Sequence, residues 1–74
     1  HRKEPTLKYF NWLLPKLHPN SIVVVDDINW SADMREAWEE LKNHSSVTLS
    51  IDLFEMGVLF LNPDLKKEDL SVRY

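Results

Sequence analysis

Asp26 and Asp27 are adjacent carboxylates that close the apolar run starting at Ile22, and Asn29, Trp30 and Ser31 follow them directly. Two acids side by side can hold a hard cation through oxygen, accept hydrogen bonds from a ligand, or move a proton. A cation such as Mg²⁺ held there by Asp26 and Asp27 would lower the pKa of a bound hydroxyl and prepare its oxygen for attack. Asp26 is therefore a candidate catalytic group, and Asp27, Asn29 and Trp30 are candidate substrate contacts. The indole of Trp30 suits the wall of a flat ligand. His1 is the other candidate for proton transfer, because an unperturbed imidazole titrates at ~6.5. Each of these residues also has a plain structural role. One aspartate can cap a turn or the next helix, Trp30 can pack on a sheet edge, and His1 stands at the end of the chain. Asp52 and Glu55 can reach a site or satisfy turn amides. His18 and His44 read as solvated turn residues, and Trp12 and Trp38 as core or interface residues.

The elements that position the acids can be read from periodicity. Ile22-Val23-Val24-Val25 has no alternation, which predicts a strand buried on both faces, as in a parallel α/β sheet. Ligands in such sheets bind beyond the carboxyl ends of the strands. Before it, Leu7, Phe10, Leu13, Leu14 and Leu17 make the apolar face of a helix over 5–17, with Pro5 in its first turn and Pro15 distorting its last. After it, Ser31 reads as an N-cap with Asp33 in the first turn. Met34, Ala37, Trp38 and Leu41 then predict a helix over 32–43. Val47, Leu49 and Ile51 alternate with Thr48 and Ser50, the pattern of a half-buried strand. Residues 53–57 turn the chain, and 58–61 form a last apolar strand stopped by Asn62-Pro63. The charged segment 64–74 contains Leu70, Val72 and Tyr74 in alternation and reads as a short terminal strand or a docked tail. The expected fold is α/β, in the order helix-strand-helix-strand-strand. Its mixed three-stranded sheet has a right-handed crossover between the first two strands and an antiparallel last strand.

Composition narrows the function classes. A chain of 74 residues makes one domain and buries only ~60% of its unfolded surface. It has no cysteine, so disulfides and thiolate metal sites are excluded, in keeping with a cytoplasmic protein. The net charge is −3 with acids and bases interspersed, which argues against a nucleic-acid partner. No apolar run approaches the ~20 residues of a membrane span, and no signal-peptide pattern opens the chain. A start at His1, three tryptophans and the single glycine Gly57 predict interior material of a larger fold.

The stretch Ile-Val-Val-Val-Asp-Asp-Ile-Asn-Trp resembles the fifth strand and following loop of a class I S-adenosylmethionine-dependent methyltransferase. His-Arg-Lys-Glu-Pro-Thr-Leu is similar to the segment after that family's fourth strand, where small-molecule O-methyltransferases often read Asp-Gly-x-His. Asp-Leu-Phe-Glu-Met-Gly-Val-Leu-Phe resembles the hairpin into the final strand. The resemblance spans His1 to about Leu61. It implies that 1–74 is the C-terminal part of a Rossmann-like methyltransferase domain, with 64–74 as a tail. It also implies that the last strand inserts antiparallel between the two before it. The implied activity is methyl transfer to a small-molecule hydroxyl, with S-adenosylmethionine bound by the intact protein only, since the glycine-rich turn and the second-strand acid of the donor site have no counterpart here. In the metal-dependent branch an Asp-Asn pair holds a divalent cation where this chain has Asp26-Asp27. The fourth strand, which would flank Ile22–Val25, is missing from this sequence, so the resemblance implies a homo-oligomer through that strand edge or the first helix.

Val-Val-Val-Asp-Asp followed by Met-Arg-Glu-Ala-Trp-Glu-Glu-Leu is also similar to the start of a receiver domain, with Asp52 imitating its phosphoacceptor. That alternative requires Asp52 at a strand's carboxyl end beside Asp26 and Asp27. A second alternative is a non-catalytic protein-interaction module.

Overall fold

The computed structural model describes residues 2–73, so His1 and Tyr74 lie outside the described residues. Helix α1 runs over Lys3–Leu13 and tightens into a 3-10 turn at Leu14–Lys16. Pro15 sits inside that turn, where its missing N–H breaks the α-helical ladder. Of the expected apolar face only Phe10 is fully buried. Trp12 is 57% exposed and stacks on Tyr9, with the Lys16 ammonium 3.9 Å from its ring centre. Helix α2 spans Ala32–Lys42, and the Ser31 hydroxyl accepts a hydrogen bond from the Met34 amide, as the N-cap pattern predicts. Its buried stripe is Met34, Ala37, Trp38 and Leu41. His18 is exposed, whereas His44 is half-buried and meets the Phe10 ring edge-on.

Strands β1 (Ile22–Asp26), β2 (Leu49–Asp52), β3 (Met56–Phe60) and β4 (Glu68–Ser71) form a mixed four-stranded sheet in the order β1-β3-β2-β4. The chain is thus a small α/β domain. Strand β3 is antiparallel to both β1 and β2, so β1 and β2 run parallel with β3 between them, joined through α2. The expected hairpin is β2–β3. The expected three-stranded sheet gains a fourth strand, because the charged tail pairs parallel with β2. Local bonds fix it there. The Glu68 amide donates to Thr48 O and the Val72 amide to Asp52 O. The Lys67 ammonium donates to the carbonyls of Lys42, His44 and Val47 at 3.2, 3.2 and 2.6 Å, the first of them a carbonyl that the end of α2 leaves without a helical partner.

Both helices cover one face of the sheet, where Val23, Val25 and Leu59 join Phe10, Ile28, Met34, Trp38, Leu41 and Val47 in the core. Two cross-strand rows make this face: Val23, Leu59 and Ser50, then Val25, Gly57 and Asp52. The alternation therefore has the right period but, within β2, the wrong phase, although Val47 ahead of the strand is buried. Ser50 and Asp52 are 1% and 3% exposed, whereas Leu49 and Ile51 are half-buried on the opposite face. That face carries Ile22, Phe60 and Leu49 in one row and Val24, Val58, Ile51 and Leu70 in the next, and none of these is buried. The expectation that β1 is buried on both faces fails: Ile22 and Val24 are 56% and 60% exposed. Strand β1 is an edge strand with helices on one side only.

Gly57 does not belong to the turn, as its position suggested. It lies inside β3, and its φ is not positive. A Cβ there would overlap the Trp38 ring, with Cε3 at 2.8 Å, so glycine lets the indole of α2 lie directly on the β3 backbone.

Candidate functional site

Beyond the carboxyl end of β1, the loop to α2 faces the β2–β3 turn across a recess of about 400 Å³. Asp26, Asp27, Asn29 and Trp30 line one side, and Phe54, Glu55 and Met56 line the other. The candidate site groups Asp26, Asp27, Asn29 and Trp30 are thus brought together, with Glu55 opposite them; His1 is outside the described residues. Asp26 and Trp30 are exposed, Trp30 by 69%.

Backbone bonds stitch the two sides. The Asp27 amide donates to Glu55 O at 2.9 Å and the Trp30 amide to Asp27 O at 3.0 Å. Asp27 has φ 56 and Phe54 φ 72, the only positive-φ non-glycine residues described. Aspartate tolerates that conformation, but a bulky aromatic at positive φ is an outlier, and such residues collect at functional sites. Asn29 bridges the sides with its amide. Its Nδ2 donates to Phe54 O at 2.6 Å, and its Oδ1 accepts from Arg35 at 3.3 Å. Asn29 therefore works first as a brace between loop and turn.

Behind the turn lies an ion pair between a half-exposed Arg35 and a buried Asp52 that the sequence reading did not single out. Arg35 contacts Asp52 Oδ2 at 2.8 Å. Asp52 Oδ1 accepts the Phe54 amide at 2.8 Å and faces Arg73 at 3.5 Å. Burial pushes the Asp52 carboxyl upward. The Arg35 hydrogen bond, the Phe54 amide and the charges of Arg35 and Arg73 outweigh it, so the net shift is below the ordinary aspartate value. The expectation that Asp52 serves turn amides is met. Asp52 does end strand β2, but it is buried against Arg35 and does not line the recess of Asp26 and Asp27, as a receiver's phosphoacceptor would.

Among the described residues no group of three or more His, Asp or Glu is placed to hold a metal ion. A cation between Asp26 and Asp27 would draw its other oxygens from water and ligand, a pattern magnesium accepts. Phe54 and Met56 escaped the sequence reading, and so did Arg35. The available signal was a turn, Asp52-Leu53-Phe54-Glu55, with no glycine or asparagine to take a left-handed position. No family model, curated protein or solved structure matches the chain.

Proposed function

We propose that these residues are the C-terminal part of a cytoplasmic, Rossmann-like class I S-adenosylmethionine-dependent methyltransferase domain acting on a small-molecule hydroxyl. The observation that carries the reading is the strand order, with β3 inserted antiparallel between the parallel β1 and β2. The resemblance implies that arrangement for the end of the family's sheet. The apolar second face of the sheet supports it, since sheets with apolar rows on both sides belong to folds covered on both sides.

In this reading the recess holds the methyl acceptor. Asp26 accepts the hydrogen bond of the acceptor hydroxyl and takes its proton, with Asp27 beside it as a substrate or Mg²⁺ contact. Trp30 walls the ligand, and the loop-to-turn bonds fix the direction of approach. His1 is a further proposed base. The chain's one glycine is committed to Trp38, so the glycine-rich turn that holds the methyl donor is not built from these residues. The donor site falls to the rest of the intact protein. The β1 edge or α1 is the proposed self-association surface.

The test is calorimetric titration of S-adenosylmethionine into the intact protein, with the 74-residue chain as control. The expected result is binding by the intact protein, none by the chain alone, and donor-dependent methylation of small hydroxyl compounds that Asp26→Asn abolishes. No binding by the intact protein overturns the reading. It would select a non-catalytic interaction module, which the exposed apolar β1 edge favours.

A further inference from the structure

We infer that Asp52 and Arg35 are positioning residues of the recess, and that they hold the Phe54 ring as its flat wall; this rests on the recess being the acceptor site. Phe54 occupies a left-handed backbone position, φ 72, which glycine or asparagine would take with less strain. Both of its backbone polar groups are held by side chains: the amide by Asp52 at 2.8 Å and the carbonyl by Asn29 at 2.6 Å. Arg35 closes the circuit, donating to Asp52 at 2.8 Å and to Asn29 at 3.3 Å. Three residues, from α2, β2 and the loop after β1, thus converge on one turn residue.

The effect of that circuit is on the ring. Phe54 remains 53% exposed and lines the recess. The Arg73 guanidinium lies 5.2 Å from the ring centre, in range for a cation–π contact that limits tilting. An ion pair with one partner half in solvent, as Arg35 is, gives little net stability. Its use here is to over-determine a conformation that the residue would not adopt alone. A flat ligand hydroxyl gains from such a wall by stacking, and a puckered one of the same size does not.

Phenol and cyclohexanol are matched probes for this difference. Each is titrated into the ¹⁵N-labelled chain and followed by the backbone amides of Asp27, Phe54 and Met56. Phenol should bind roughly two- to tenfold more tightly, the range one aromatic pair contributes. Phe54→Gly should lower the preference to what Trp30 alone supports and leave the chain folded, since glycine accepts the backbone. Asp52→Asn should lower it likewise although the ring is still present, and should change nothing further in the Phe54→Gly background. Arg35→Gln, at a more exposed position, is the parallel variant if Asp52→Asn does not fold. Equal affinity for the two probes overturns the inference. So does an unchanged preference in folded Asp52→Asn or Arg35→Gln, or an Asp52→Asn loss that persists on top of Phe54→Gly. Absence of methyl transfer by the intact protein would instead remove the methyltransferase reading and leave a measured phenol preference standing.

Discussion

Asp52 sets the pH response expected at the residue scale. A carboxyl held below its ordinary value in the folded state, as Asp52 is, contributes stability above its unfolded pKa. That contribution is lost as pH falls through the folded value. Melting temperature should therefore drop on acidification through and below the ordinary aspartate range, and Asp52→Asn should flatten that drop. At neutral pH the same variant should cost about 1–3 kcal/mol, because the Phe54 amide and Arg35 lose their charged partner. Thermal melts across pH for both proteins check this, and parallel acid limbs would exclude Asp52 as their source. Gly57→Ala should cost about 1–3 kcal/mol by overpacking against Trp38, readable in urea unfolding; an unchanged midpoint would mean that the indole can move aside. The acids, Asn29 and Trp30 were legible in sequence because strand-end chemistry has a linear signature. Arg35 and Phe54 were not. Arg35 reads as one more charge on a wet helix face, and its role depends on β2 arriving opposite it. Gly57 was misread for a related reason: a glycine after a turn looks like part of the turn until a tryptophan is found lying on it.

Helix periodicity in this chain was legible because each helix is amphipathic on its own. The burial of β2 was not, since its phase is decided by its neighbours. Apolar Leu49 and Ile51 point away from the helices because Asp52 must reach Arg35 and Ser50 faces the covered side with Leu59. Strand β4 was half-legible: Leu70 and Val72 alternate, but all of its residues are exposed, so little burial marks it. Lys67 and the Lys42–Asp69 pair, at 2.9 Å, hold it to the end of α2. Lys67→Met should therefore loosen β4 selectively. Hydrogen exchange of the Glu68 and Val72 amides should quicken at least about tenfold, the equivalent of about 1.4 kcal/mol of local opening, while β1 and β3 amides keep their protection. Uniform acceleration across the sheet would show that β4 does not open as a unit.

The molecule as a whole has a helical layer on one face of its sheet and apolar rows on the other. Beside the free β1 edge, α1 and β1 border a groove of about 560 Å³, with Tyr9, Ile22 and Val24 more than half exposed. An unpaired apolar edge recruits another strand. The chain alone should therefore show concentration-dependent association in sedimentation velocity, and Val24→Lys should return it to a monomer. A single sharp monomer at high concentration would exclude this surface. No helix among the described residues is long and apolar enough to cross a membrane. The two rims of the sheet are unlike. The β4 rim presents the exposed Glu68 beside an Asp69 paired with Lys42, and a charged rim discourages a further strand. If two copies join through β1 about a two-fold axis, both outer rims of the joined sheet are β4. Growth then stops at the pair, and lateral extension into fibrils is blocked by the segment that composition alone would have dismissed as a tail.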